Sequence, residues 1–298
     1  MTEIASLIAH GPVILDGGWG TQLQLCGLEV GAHPDLWNLT APEKVEQVAR
    51  AYVEAGSRII LTNTFGATKF TLEKHGFGDK VAEVNRIGVE ISKRATVGTQ
   101  TKVFASMGPT GVMLMMGEVK PEQLYDAFLE QAAAQAAAGA DAIVVETMSD
   151  PVEAELAVKA AKSTGLPVAV SFVFDSGKNK DRTMMGTTPE QVVRQMTDAG
   201  ADIIGSNCGQ GIDGFIPICR RMRAVTVMPI WMKANAGLPE IEDGITVYRQ
   251  SPEHFAEVAC ELIEAGANFI GGCCGTSPDF IHALAARIGL ENNINSAE

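Results

Sequence analysis

Three cysteines in this chain stand where a metal chemist would look first. Cys273 and Cys274 are adjacent in Gly271-Gly-Cys-Cys-Gly-Thr, and Cys208 sits in Asn207-Cys-Gly-Gln-Gly. On a regular strand neighbouring side chains point to opposite faces, so two adjacent thiols can share one ion only where the backbone is irregular. Gly271, Gly272 and Gly275 are expected to supply that irregularity, and the glycines after Cys208 do the same for the third thiol. Three thiolates form a soft donor set suited to zinc, and three protein ligands instead of four leave a position open for substrate. Metal binding brings a thiol far below its free pKa of about 8.5, which would ready a bound sulfur to attack a methyl carbon. The plainer alternative is that these are small buried hydrophobes, as an isolated free cysteine usually is. That alternative suits Cys26, Cys219 and Cys260, which fall in a loop or in helix-like segments.

What could bring residues 65 positions apart together is set by the rest of the pattern. Eight short apolar runs alternate with segments of helical period: Val13–Asp16, Arg58–Thr62, Val103–Met107, Asp141–Glu146, Pro167–Phe172, Asp202–Asn207, Pro229–Ala234 and Asn268–Gly272. Strand and helix alternating in this way predict parallel strands joined by crossover helices. The joints repeat too, as Glu54-Ala-Gly-Ser, Ala138-Gly-Ala-Asp, Ala199-Gly-Ala-Asp and Ala265-Gly-Ala-Asn, each just before a strand. Glycine there suits a left-handed helix C-cap. Eight units fit a closed (β/α)8 barrel better than an open doubly wound sheet, and no GxGxxG or GxxxxGK[ST] nucleotide loop is present. With no linker-like or low-complexity stretch, residues 1–298 are expected to form one barrel.

In such a barrel the active site lies at the C-terminal ends of the strands. Asp16, Asn63, Glu146, Asn207, Cys208, Asn235, Cys273 and Cys274 all fall at or just after a strand end, which predicts that they meet at one mouth. Asp16 and Glu146 could hold a substrate ammonium while backbone amides receive a carboxylate, an arrangement fitted to an amino-acid thiol. Both residue types also occur as ordinary helix caps. Asn235 is either a fourth metal ligand or a turn residue. The five histidines show no metal-ligand spacing.

Composition bounds the partners. A chain of 298 residues with 46% hydrophobic and 20% charged residues can bury a large core, and a formal net charge of -13 without a basic cluster argues against nucleic acid or an anionic membrane. No apolar run nears the roughly 20 residues that span a bilayer, and the first residues lack the pattern of an export signal. A cytoplasmic location is expected, with the six cysteines kept reduced.

With these residues in view, the chain resembles the zinc-dependent homocysteine S-methyltransferase family from Asp16-Gly-Gly-Trp-Gly-Thr to Gly271-Gly-Cys-Cys-Gly-Thr. The likeness is greatest to the homocysteine module of cobalamin-dependent methionine synthases, through Asn63-Thr-Phe-Gly-Ala-Thr, Gly108-Pro-Thr-Gly, Asn207-Cys-Gly-Gln-Gly and Asn235-Ala-Gly-Leu-Pro. The resemblance implies that Cys208, Cys273 and Cys274 bind Zn2+, that Asp16 and Glu146 help hold homocysteine, and that Asn235 fills the open zinc position when substrate is absent. It implies attack by zinc-bound homocysteine thiolate on an activated methyl group, giving methionine.

A chain of this length is expected to lack folate and cobalamin modules, and no Asp-x-His-x-x-Gly corrinoid motif occurs. The methyl donor is then a free molecule or a methylcorrinoid on a separate protein. Trp37 and Asn63 are candidates for the donor side. Trp37 stands where betaine-homocysteine methyltransferases carry a tryptophan, but Gly66 replaces an aromatic partner. The methionine-rich segments Val112-Met-Leu-Met-Met and Met184-Met185 are expected in mouth loops, where they either pack on themselves or receive a corrinoid protein. Three alternatives stay open: a different thiol or selenol acceptor, an oxidoreductase using the Cys273–Cys274 pair, and a non-catalytic zinc-binding subunit.

Overall fold

A computed structural model describes residues 3–242 and 245–295, with no account of the side chains of residues 3, 245 and 290–295. Eight parallel strands form one sheet: β1 (Val13–Ile14), β2 (Ile59–Leu61), β3 (Lys102–Met107), β4 (Ala142–Met148), β5 (Val168–Phe172), β6 (Ile203–Gly211), β7 (Ile230–Asn235) and β10 (Phe269–Gly272). A small antiparallel hairpin, β8 (Glu240–Glu242) and β9 (Ile245–Val247), is inserted after β7. The spatial order β1-β10-β7-β6-β5-β4-β3-β2 runs round a ring. Closure between β1 and β2 is made by Arg58 N donating to Ile14 O at 2.8 Å and by Leu61 N donating to Asp16 Oδ2 at 2.6 Å. This is a (β/α)8 barrel wrapped by helices, and each expected run coincides with a strand. The expected span of 1–298 includes residues 1–2, 243–244 and 296–298, which lie outside the described residues.

The repeated joints behave as their glycines require. Gly56, Gly139, Gly200 and Gly266 have φ of 107°, 89°, 93° and 106°, so each helix stops and the chain turns into the next strand.

The apolar residues divide by strand parity. One set, including Ile60, Val103, Ile143, Val170 and Ile204, packs outward against the helices. The other fills the barrel lumen, where Phe104, Trp231 and Phe269 stack with centroid separations of 6.1 and 5.6 Å. Ile4, Leu7 and Ile8 of the N-terminal helix Glu3–Ile8 join this second cluster and close the barrel floor.

Room for the lumen depends on missing side chains. A Cβ on Gly205 would lie 1.8 Å from the Trp231 carbonyl oxygen, and one on Gly271 2.6 Å from the Asp16 carbonyl oxygen.

Candidate metal and acceptor site

Each lumen strand changes character two residues above its apolar layer. Phe104, Val144, Ala169, Gly205 and Trp231 are followed at that period by Ser106, Glu146, Ser171, Asn207 and Lys233. All five are buried and polar, and they form the floor of the mouth.

The thiols stand at this level. Cys208 Sγ lies 2.9 Å from Cys273 Sγ and 3.6 Å from Cys274 Sγ, and all three sulfurs fall within 4.8 Å of one another. They are the only group of ligand atoms this close among the described residues. Around a tetrahedral zinc with Zn–S of about 2.3 Å, sulfurs sit about 3.8 Å apart, so Cys208 and Cys274 already stand near that spacing and Cys273 has to move away from Cys208 by about 0.9 Å to share the ion.

The backbone that turns them inward differs from the expectation. Gly271 and Gly272 belong to the regular strand β10, and what they provide is space: a Cβ on Gly272 would come within 2.1 Å of Thr276 Oγ1. Of the three glycines only Gly275 is left-handed, at φ 81°. The irregular residue on the other side is Cys208 itself, at φ 60°, where β6 loses register with β7 between Asn207 and Gly211. A non-glycine residue held there stores strain, which the surrounding hydrogen bonds must offset. Thr147, just after Glu146, does the same at φ 62°, beside a register shift in β4.

Asn207 ties these two bends together. Its Oδ1 accepts from Thr147 N at 2.8 Å and Ser171 Oγ at 2.6 Å, and its Nδ2 donates to Thr147 Oγ1 at 2.7 Å. The Cys pair is anchored by Cys273 N donating to Ala234 O and Ala236 N donating to Cys274 O, at 2.7 and 3.0 Å, on either side of Asn235. Asn235 Oδ1 is buried there without a hydrogen-bond partner. A buried amide oxygen with no donor is costly alone, and such an atom suits a metal or a substrate donor.

The thiols do not ionise alike. Hydrogen bonds from Cys208, then Cys273 and later Tyr248 hold Cys274 well below the ordinary thiol range. Cys208, bonded to both neighbours and buried, is pushed well above it. One thiolate forms readily and further negative charge is resisted, a conflict that a divalent cation would relieve.

Asp16 and Glu146 meet at the mouth but differ in availability. Asp16 is wholly buried: Oδ1 accepts from Lys233 Nζ at 2.5 Å, and Oδ2 from Trp19 Nε1 at 2.7 Å and Leu61 N at 2.6 Å. Glu146 is 7% exposed and accepts from Ser106 Oγ at 2.5 Å. Burial pushes its carboxyl up to about 7 against the pull of Lys233. Burial opposes the charge on Lys233, yet Asp16 and Glu146 hold its pKa above the ordinary lysine value.

The donor-side candidates make contacts of their own. Lys44 Nζ covers the Trp37 ring at 4.6 Å from its centroid, and Asn63 Nδ2 donates to Pro34 O and Asn38 Oδ1, tying that loop to the end of β2. Met113, Met115, Met116, Met184 and Met185 are all exposed, and four of them line one cavity of about 280 Å³. Cys26, Cys219 and Cys260 lie outside the cluster.

Two residues were not singled out from the sequence. Lys233 lies inside an apolar run, one position short of the run's expected end at Ala234. Tyr248, which touches Cys274, directly follows the hairpin, and the signal that could have found it is Asp243-Gly244 between the short alternating runs Glu240-Ile-Glu and Ile245-Thr-Val.

The family profile described as homocysteine S-methyltransferase matches residues 13–288. The chain belongs to the homocysteine S-methyltransferase family. The chain is 30% identical over 310 aligned positions to methionine synthase of Mycobacterium leprae, covering 98% of this chain and 26% of that protein. Methionine synthase of Mycobacterium tuberculosis is 29% identical over 304 positions, covering 96% and 25%. The chain thus spans about a quarter of the length of these relatives. The fold is shared with the metallated form of the Escherichia coli homocysteine methyltransferase MmuM, at a TM-score of 0.77 and 23% identity over 93% of this chain and 96% of that one. A methyltransferase from Methanosarcina mazei aligns at a TM-score of 0.63 and 14% identity, covering 97% and 98%.

Proposed function

We propose that this chain is a zinc-dependent methyltransferase that moves a methyl group to the sulfur of homocysteine, giving methionine. The observation that carries the reading is the convergence of Cys208, Cys273 and Cys274 at the open end of the barrel, beside a buried carboxyl and an unpartnered Asn235 Oδ1. Family membership and the methionine synthase relatives support the acceptor.

Zinc held by the three thiolates would lower the pKa of an added thiol and leave it nucleophilic. The chain's own residues do the rest. Glu146 receives the amino end of homocysteine, with Asp16 beside it in its pair with Lys233. Asn235 offers an oxygen to the metal or to the incoming substrate. Asn207 holds the strained bends at Cys208 and Thr147, so the thiols need little reorganisation. The acceptor sulfur loses its proton and attacks the methyl carbon, and the donor leaves with the bonding pair. The donor is a small methyl compound or a methylcorrinoid on a separate protein. Residues 1–298 act as one barrel, in the cytoplasm where free thiols persist. No helix among the described residues is long and apolar enough to cross a membrane.

The test is methionine formation by zinc-loaded protein given homocysteine and, in parallel, methylcobalamin, S-methylmethionine, S-adenosylmethionine and betaine, with zinc content measured on the same sample. Turnover that disappears with the zinc supports the reading. A metal-free protein whose thiols pair on mild oxidation would replace it with the redox alternative.

A further inference from the structure

Lys233 is a full positive charge sealed inside a mouth whose expected task is to hold a substrate's positive charge. Its side chain is 2% exposed. It stands opposite Gly271 in the β7–β10 register, and β10 separates β7 from β1. Its ammonium therefore crosses a whole strand to reach Asp16, passing where Gly271 carries no side chain. Asp16 has two further donors, Trp19 Nε1 and Leu61 N, and no solvent contact. Three donors, one of them a cation, leave that carboxylate little capacity for another ammonium. Glu146 differs: among the described residues it accepts a hydrogen bond from Ser106 alone, and it keeps some exposure.

We propose that Lys233 is the specificity-determining residue of the acceptor site, because it occupies at Asp16 the place that a substrate ammonium would otherwise take. The inference rests on the reading of this site as the acceptor site for homocysteine. Glu146 is then the single receptor for an amino group, and the site accepts mercaptocarboxylates with or without an amine. The acceptor class is the short thiol acid, of which homocysteine is one member. A buried ion pair inside the protein costs the substrate nothing to form, whereas a second unpaired buried carboxylate beside Glu146 would strengthen the demand for an ammonium.

The probes are homocysteine, 4-mercaptobutyrate, which lacks only the amino group, and 3-mercaptopropylamine, which lacks the carboxylate. Binding of each to zinc-loaded protein is measured by calorimetry in one neutral buffer, where the substrate amine carries its charge, after zinc content has been matched between variants. The wild-type protein is expected to bind homocysteine and 4-mercaptobutyrate within about tenfold of each other. Lys233→Met frees Asp16 and should widen that preference for homocysteine by at least a further tenfold or so. The double variant Asp16→Asn, Lys233→Met removes both charges, guards against misfolding of the single one, and should return the ratio to near the wild-type value. An unchanged ratio in Lys233→Met overturns the proposal and leaves Lys233 a structural strut. So does loss of both acids with 3-mercaptopropylamine unaffected, since Lys233 would then grip the substrate carboxylate. If wild-type zinc protein binds none of the three thiols, the acceptor reading falls and takes this inference with it.

Discussion

The lumen of this barrel contains two layers built by the same rule and held by different forces. The lower layer, with Phe104, Trp231 and Phe269 at its centre, is hydrophobic, and the indole Nε1 of Trp231 is buried there without a hydrogen-bond partner. The upper layer, two residues further along the same strands, is Ser106, Glu146, Ser171, Asn207 and Lys233, with Asp16 reaching in from β1. Below, any side chain of the right volume satisfies its neighbours, because burial of apolar area is non-directional. Above, each group needs a named partner, and two backbone bends outside the usual regions, at Thr147 and Cys208, persist only because Asn207 and its neighbours hold them. The lower layer secures the ring on which the strained layer rests.

That contrast can be broken from either side. The largest effect is expected at the thiols: Cys273→Ala should lose essentially all bound zinc and all methyl transfer while far-ultraviolet circular dichroism stays that of a folded barrel. Zinc retained in full by that variant would remove the metal reading. From below, Trp231→Ala should cost about 3–5 kcal/mol in denaturant unfolding, by loss of a fully buried aromatic between Phe104 and Phe269, yet keep its zinc. If zinc were lost in step, the two layers would have to be treated as one.

A subtler difference is the response to pH. Glu146 has its carboxyl raised from 4.5 to about 7 in the fold, so the unfolded chain gives up that proton first. The sign follows from linkage: the group opposes folding increasingly as pH climbs from about 4.5 to about 7, by about 3 kcal/mol. Metal-free Glu146→Gln should therefore lose less stability than metal-free wild type across that window, seen in parallel urea titrations. An identical pH slope in both proteins would mean that Glu146 is not the buried acid the fold makes it. The smallest effect is expected outside the lumen. Replacing Met113, Met115 and Met116 by Ser should change stability by less than about 0.5 kcal/mol, since all three are exposed. Unchanged turnover with a corrinoid partner in that triple variant would also exclude these side chains from docking.

Much of this was legible in the residues, because barrel strands announce themselves as apolar runs and their ends as polar punctuation. Every expected run coincides with a strand, and the three thiols, Asp16, Glu146, Asn207 and Asn235 gather at one end. Lys233 escaped that logic because a charge within an apolar run reads as an interruption, and only the register against Gly271 shows that it has a path to Asp16. The end of β6 also ran past its expected limit at Asn207, to Gly211, since a bulged strand carries no periodic signature. The left-handed bend at Cys208 was invisible for a related reason: residues at such angles are usually glycine or asparagine, and a cysteine gives no warning. Tyr248 follows a hairpin whose strands, Glu240-Ile-Glu and Ile245-Thr-Val, are too short for their alternation about Asp243-Gly244 to stand out beside the eight long runs.

The closure between β1 and β2 has a kinetic meaning. Elsewhere neighbouring strands are joined by runs of backbone hydrogen bonds, but here the ring is fastened by Arg58 N to Ile14 O, by Ser57 Oγ to Leu15 O, and by the Asp16 carboxylate on Leu61 N. A fastening with so few strands of thread is where the barrel would first part in its native fluctuations, so the Leu61 amide should exchange with deuterium sooner than the amides of β5 and β6. Because the same carboxylate is clasped by Lys233, whatever settles the charges of the mouth also slows the breathing of the ring.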